Sequence, residues 1–340
     1  MSAVLVARLD SDGDVLLSGP ALRAVRRGCD RLLLLCGPRG KAAARLLPGV
    51  DEVIVWRCPW VDPEPQPVDP ADVGETVARL QEARPEAALV LTSASQSPLP
   101  TALLLRLAGV PWVGAISHDY PGSLLDLRHR PPERGLHEVQ RMLSLVEAAG
   151  YPSADDPFDN RLAVRRPLPS ASHLTGSSPY VVVHPGASVP SRASSSAWLR
   201  ELVCRLTGVG RRVVVTGGPH EVQLTQEVSG DQATDLGGRT SLAELADVLR
   251  RATAVVVGNT GPAHLAAAVG APVVSLFSPV VPVERWKPWG VPCVVLGDQW
   301  AACRGTRARA CPVPGHPCLE DLAHDDVIAA LAALELELSA

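Results

Sequence analysis

The sequence predicts an α/β protein built from two Rossmann-like units, and three observations carry that expectation. Short apolar runs alternate with amphipathic stretches through the first half of the chain. A Pro-, Ser- and Asp-rich stretch from Pro152 to Ser178 then interrupts the pattern, and the same alternation restarts at Tyr180. Strands that alternate with helices call for parallel sheets with helices on both faces. A chain of 340 residues is also long enough for about two domains. The expected division is an N-terminal Rossmann-like unit at 1–160, a linker at 161–178, a second unit at 179–322 and a C-terminal helix at 323–340. Two such units would face each other across a cleft, and clefts beyond the carboxyl ends of strands are where these folds bind ligands.

The elements follow in order. Val4–Ala7, Arg31–Cys36, Glu52–Val55, Ala87–Leu91 and Trp112–Ala115 read as buried strands of the first unit, being short, apolar and bounded by turn residues. Val15–Arg27, Gly40–Leu47, Asp72–Ala83, Pro98–Ala108 and Leu136–Gly150 read as the helices between and after them. In the last of these, Val139, Met142, Leu143 and Val146 recur at helical spacing. In the second unit the strands are Tyr180–His184, Arg212–Thr216, Thr234–Leu236, Ala254–Val257 and Val273–Phe277. The helices are Ala197–Leu206, His220–Val228, Leu242–Arg251 and Pro262–Val269. Ser241 with Glu244 forms a capping box that marks the start of the third. A final helix is expected over Asp325–Leu338.

Bulk composition excludes several classes. The chain is 46% hydrophobic with only 4% aromatics, which is ample for two aliphatic cores. A net charge of −4 and a pI near 6.1 leave no electrostatic footprint for nucleic acid. No apolar run approaches the roughly 20 residues that span a bilayer. The first residues lack a cationic segment and a cleavage site, so the expectation is a cytoplasmic protein whose eight cysteines are thiols.

The strongest chemical signal is Val255–Val269. Val255 to Val257 form a buried strand, and Asn259-Thr260-Gly261 makes a polar turn before a helix with Pro262 in its first turn. The N–H groups of Thr260, Gly261 and Ala263 would point into the turn with the helix dipole behind them, an arrangement that attracts a phosphate. His264 would sit on the first helical turn beside the same ligand. A well-capped βα turn with no ligand is the plainer alternative.

At the start of the chain, Arg8-Leu-Asp-Ser-Asp-Gly-Asp14 links the first strand to the first helix. Its alternate aspartates suggest a calcium loop, but an EF-hand needs Gly and Glu where this chain has Val15 and Ala21. A G-x-G-x-x-G fingerprint is missing too, which disfavours a nicotinamide cofactor and a dehydrogenase. Asp14 could cap the helix or act as a general base towards an attacking hydroxyl. Asp10 and Asp12 could share that role, with Asp14 the preferred candidate. In the second half, Arg192 beyond the His184-Pro-Gly loop is a candidate phosphate partner. Glu221 after Gly217-Gly-Pro219 could accept from ribose hydroxyls or only decorate a helix start.

Taken together these motifs resemble one family. The Asp-Ser-x-Gly-Asp14 opening with Gly19-Pro-Ala-Leu22, the His184-Pro-Gly loop and the Gly217-Gly-Pro turn occur in order. Asn259-Thr-Gly-Pro-Ala-His264 and Leu276-Phe-Ser-Pro279 with Arg285-Trp-Lys-Pro-Trp-Gly290 complete the series. The chain is similar to glycosyltransferase family 9, the lipopolysaccharide-core heptosyltransferases and their relatives. That resemblance implies the GT-B fold, with an acceptor-binding first lobe and a nucleotide-sugar-binding second lobe. It implies an inverting, metal-independent transferase with Asp14 as base. Thr260, Gly261 and His264 would bind the diphosphate, and Arg192 and Glu221 lie near a phosphate and a ribose ligand. The expected co-substrate is an ADP- or GDP-heptose, with no further cofactor. Asn259 departs from the Asp that many members carry, which puts an inherited donor specificity in doubt.

The donor half has no Asp-x-Asp pair for a metal, and the cluster Cys303, Cys311, Cys318 and His316 lacks any C-x-x-C spacing. The acceptor could be a glycan, a lipid-linked sugar or a natural product. A lipid-linked acceptor would bring peripheral contact with the inner face of the membrane. The alternatives are a sugar-nucleotide epimerase of similar fold, which needs no acceptor, and a non-catalytic sugar-nucleotide-binding protein.

Overall fold

The computed structural model describes residues 2–93, 96–132, 135–151 and 160–339. The chain divides into two compact units, Met1–Val164 and Arg165–Ala340. In the first unit the order is β1 (Ala3–Arg8), α1 (Asp12–Leu17), α2 (Gly19–Arg27), β2 (Arg31–Cys36), α3 (Lys41–Leu46) and β3 (Glu52–Val55). It continues with α4 (Pro70–Ala83), β4 (Ala87–Val90), α5 (Leu99–Leu107), β5 (Trp112–Ile116), β6 (Leu127–His129) and α6 (Glu138–Ala148). The six strands are all parallel and run β3-β2-β1-β4-β5-β6 across the sheet. The order reverses between β1 and β4, the switch point at which doubly wound sheets bind ligands.

The second unit repeats this plan. It comprises α7 (Ser172–Thr175), β7 (Val181–His184), α8 (Ser196–Gly208), β8 (Val213–Val215), α9 (Val222–Ser229), β9 (Thr234–Asp235) and α10 (Leu242–Arg251). Then follow β10 (Ala254–Gly258), α11 (Gly261–Val269), β11 (Val273–Leu276), α12 (Val283–Trp286), β12 (Cys293–Leu296), α13 (Pro317–Glu320) and α14 (His324–Ser339). Its parallel sheet runs β12-β11-β10-β7-β8-β9, so β7 and β10 stand where β1 and β4 stand in the first unit.

Each sheet buries aliphatic strands beneath helices. Leu5, Leu33, Leu35, Val90 and Val113 pack with Leu80 of α4 and Leu104 and Leu105 of α5. In the second unit Val183, Val215, Val256 and Val274 pack with Leu202 of α8 and with Leu331 and Leu334 of α14. Each such side chain contributes about 1.5–3 kcal/mol of burial. The C-terminal helix closes this core. Among the described residues no helix is long and apolar enough to cross a membrane.

Three elements differ from the sequence expectation. Val15–Arg27 is not one helix but two, parted at Ser18, whose hydroxyl donates to the Val15 carbonyl. Pro20 supplies the reason, because its ring would clash with the carbonyl four residues earlier in a continuous helix. β6 and β12 were not anticipated. Both are edge strands of four residues or fewer and only half buried, so their sequences carry little apolar signal.

The segment leading into β7 is tied down by a single carboxylate. Asp247 of α10, 2% exposed, accepts the Ala171 N–H at 2.9 Å and pairs with Arg250 at 2.6 Å and Arg251 at 2.9 Å. Burial works to raise this carboxyl, but the Ala171 N–H and the two guanidinium groups outweigh it and hold it below the usual range. A depressed carboxyl stabilises above the unfolded value near about 4 and loses that contribution as pH falls through the folded value. Asp247→Ala is therefore expected to cost about 2 kcal/mol at pH 7. Urea unfolding at pH 7 and at pH 3 checks it, and the difference from wild type should shrink at the lower pH.

Candidate functional site

In the second unit, register brings the sequence-predicted residues to one place. His184 at the end of β7 pairs with Val257 of β10, so Gly186 and Asn259 each lie two residues beyond that pair at the switch point. Gly258 lies against the turn Pro190–Arg192, and a Cβ built on it would meet the Arg192 carbonyl oxygen at 2.7 Å. This close approach fixes the Arg192 turn beside the end of β10. Ser191 holds the same turn from the other side, donating its N–H to the Arg309 carbonyl at 3.0 Å and its hydroxyl to Ala308.

Asn259 is 5% exposed, and neither its Nδ2 nor its Oδ1 hydrogen-bonds to a described residue. Leaving a buried amide unsatisfied costs about 1–3 kcal/mol. Thr260 follows as N-cap of α11 in extended backbone, with Pro262 in the first turn and His264 buried on it. The turn is tighter than the sequence suggested. The Thr260 N–H is taken by the Gly258 carbonyl at 2.9 Å and the Ala263 N–H by Thr260 at 3.0 Å. Of the three expected amides, Gly261 alone has no acceptor among the described residues. The reason is local, since a chain bending this sharply into a helix closes short-range bonds on itself.

Glu221 caps a short turn and reaches towards the end of β7. Its Oε2 accepts the Gly218 N–H at 2.6 Å, capping the short turn Pro219–Glu221. Its Oε1 occupies the space that a side chain at position 186 would fill, which places the carboxylate over the end of β7. His184, 6% exposed, bonds through Nδ1 to the Thr216 hydroxyl at 3.0 Å and faces Glu221 across 3.9 Å. Burial lowers its pKa, only partly offset by Glu221.

The cysteine loop touches the Arg192 turn through Ala308 and Arg309. Cys303 and Cys318 are buried in the second core, and burial beside Cys303 pushes the Cys318 thiol up to about 12. The Cys311 thiol donates to the Val313 carbonyl at 3.3 Å. Among the described residues no three His, Cys, Asp or Glu side chains gather to hold a metal ion.

In the first unit the alternating aspartates separate into different environments. Asp12 turns to α3 and accepts the Ala43 N–H at 2.9 Å in the first turn of that helix. Asp14 turns the other way. Its Oδ1 accepts from Arg8 Nη2 at 2.9 Å and its Oδ2 from the Ser11 hydroxyl at 2.9 Å. Asp10 faces Arg8 Nε at 3.1 Å and accepts from Gln96 Nε2 at 2.6 Å, and its burial raises the carboxyl. Arg8 itself is fully buried. Its place in the Arg8–Asp14 motif does not by itself give it a task. Its signal was the guanidinium ending an otherwise apolar strand, Ala3-Val-Leu-Val-Ala-Arg8.

Comparison with known proteins agrees with the layout. Residues 78–314 match the family described as glycosyltransferase family 9 (heptosyltransferase). Lipopolysaccharide heptosyltransferase 3 of Escherichia coli K12 is 29% identical over 175 residues, 47% of this chain and 49% of that one. Lipopolysaccharide heptosyltransferase 1 of Pseudomonas aeruginosa is 32% identical over 198 residues, 55% and 54% of the two chains. The chain thus spans about half the length of the relatives it matches in sequence. In structure it is similar to a family 9 glycosyltransferase from Veillonella parvula, with TM-score 0.80, 18% identity and 99% and 98% coverage of the two chains. E. coli heptosyltransferase WaaC, solved with ADP-2-deoxy-2-fluoro heptose, superposes with TM-score 0.71 at 20% identity over 97% and 99%. These structural likenesses show the two-sheet GT-B fold.

The Gly258 contact gives a direct test of how the site is assembled. Gly258→Ala must push the Arg192 backbone away and is expected to cost about 1–3 kcal/mol. Gly186→Ala meets only the mobile end of Glu221 and is expected to cost less than 1 kcal/mol while displacing that carboxylate. Thermal unfolding of the two variants side by side reads the contrast.

Proposed function

Since the chain belongs to glycosyltransferase family 9, we propose that it transfers a heptose from a nucleotide diphosphate to an acceptor hydroxyl with inversion and without a metal. The observation that carries this reading is the buried, unpartnered amide of Asn259 at the end of β10, beside the open Gly261 N–H at the start of α11. Polar groups buried without partners at a switch point suit an oxygen-rich ligand. The helix terminus, Arg192 and His264 would take the charge of a diphosphate, and Glu221 would accept from ribose hydroxyls.

In the proposed reaction Asp14 accepts the proton of the acceptor hydroxyl. The hydroxyl oxygen attacks the anomeric carbon from the face opposite the nucleotide, and the sugar–phosphate bond breaks. Charge developing on the leaving diphosphate is met by α11, Arg192 and His264, the work a divalent cation does in other transferases. The relative solved with an ADP-heptose analogue supports adenine in the donor. The names of the sequence relatives support a lipopolysaccharide-core sugar as the acceptor class. Asn259 presents a neutral donor and acceptor where many members carry a carboxylate, so the donor's polar groups meet no added negative charge there.

Donor class is read by thermal stabilisation against ADP-, GDP-, UDP- and dTDP-sugars, with and without EDTA. An ADP-heptose at a hundred times its dissociation constant should add about 2.7 kcal/mol, equally in the presence of chelator. Absence of protection by any of them would reject the reading. Asp14→Ala should lower turnover about 10²–10⁴-fold and leave donor affinity nearly unchanged. Asn259→Ala should weaken the donor about tenfold without destabilising the free protein, because it removes an amide that was unsatisfied.

A further inference from the structure

The geometry points to Arg8 as a positioning residue that holds the Asp14 carboxylate in its reactive orientation, a role that rests on the assignment of Asp14 as base. Arg8 is the last residue of β1, at the switch point of the first sheet, and is fully buried. Its Nη2 lies between Asp14 Oδ1 at 2.9 Å and the Ser93 hydroxyl at 3.2 Å. Nε faces Asp10 at 3.1 Å, and Nη1 faces Glu138, the first residue of α6, at 3.7 Å. Ser11 engages the second oxygen of Asp14. With both oxygens held from different directions, the carboxylate cannot rotate freely about its Cβ–Cγ bond. Such restraint is what a general base needs for its lone pair to meet the hydroxyl in line.

The surplus of acid around Arg8 has a use in this arrangement. When the acceptor O–H bond breaks, its proton passes to Asp14, the acceptor oxygen bonds to the anomeric carbon and the diphosphate leaves with the bonding pair. Asp14 is then neutral, and Arg8 loses one counter-charge while keeping Asp10 and Glu138. A buried guanidinium left without any carboxylate would be strongly disfavoured. Asp10 is itself held by Gln96, and Glu138 is wholly buried, so neither competes with Asp14 for the acceptor. The charged groups on the far side of α1 serve other partners. Asp12 caps α3 and faces Arg39, while Lys41 and Arg45 face Cys36.

The test uses the full chain and ADP release from ADP-heptose, with water as acceptor. Arg8→Gln should lower kcat at least tenfold with the KM for ADP-heptose within twofold, and Arg8→Lys should recover most of the loss. Because Arg8→Gln strands buried carboxylates, Arg8→Gln/Glu138→Gln is measured beside it and should show the same split. A KM that rises with the loss of kcat, or wild-type kcat in these variants, overturns the role. Asp14→Asn separates the two claims. Full turnover in it removes the base, whereas its inactivity beside active Arg8 variants removes only the positioning. A substrate-free measurement follows the Asp14 carboxyl carbon by 13C NMR at pH 7, assigned with Asp14→Asn. The resonance should be displaced in both Arg8 variants, and an unmoved resonance overturns the proposal.

Discussion

Every strand in both sheets is parallel to its neighbours, and the rest of the molecule depends on that constraint. A parallel strand cannot be reached by a hairpin, so each return needs a crossover, and the crossovers are right-handed. The helices therefore cover both faces and the strands are buried on both sides, which is why β1, β7 and β10 are almost wholly aliphatic. Where the strand order reverses, two neighbouring crossovers depart to opposite faces and leave the carboxyl ends of the strands uncovered. Both polar constellations sit at such a reversal, one beyond β1 and one beyond β10.

The two constellations differ in how they treat buried polarity. Beyond β1 the protein sets its charges against one another, with three carboxylates arranged around a single guanidinium. Beyond β10 it leaves an amide unpartnered and backs it with a helix terminus. The first arrangement orients the Asp14 carboxylate, since an ion pair at hydrogen-bond distance fixes direction as well as charge. The second offers binding energy to whatever supplies the missing hydrogen bonds. This difference supports the acid–base role proposed for the first and the ligand-binding role proposed for the second.

Family membership constrains the chemistry without completing it. The match covers well over half of the chain, whereas the sequence relatives are matched over about half their length. The departure at Asn259 falls inside the most legible motif of the chain. It replaces a carboxylate by a neutral amide of the same size and reach, so the fold tolerates it, and any effect on donor specificity belongs to the proposed function.

The sequence by itself determined the fold class and most of the elements. Alternating apolar runs report burial directly, and the capping box at Ser241–Glu244 and Pro262 mark helix starts through local chemistry. It also determined which residues stand near α11, because Asn259 to His264 are contiguous. Edge strands β6 and β12 escaped because half-burial weakens the apolar signal, and the break at Ser18 escaped although Pro20 announced it. Only the tertiary structure decided the rest. Glu138 and Ser93 reach Arg8 from 130 and 85 residues away, and Gly258 meets Arg192 across 66. Asp12 and Asp14, two residues apart, are turned by the helix to different neighbours. Such contacts have no local signature, because they are set by the order of strands in the sheet and not by their order in the chain.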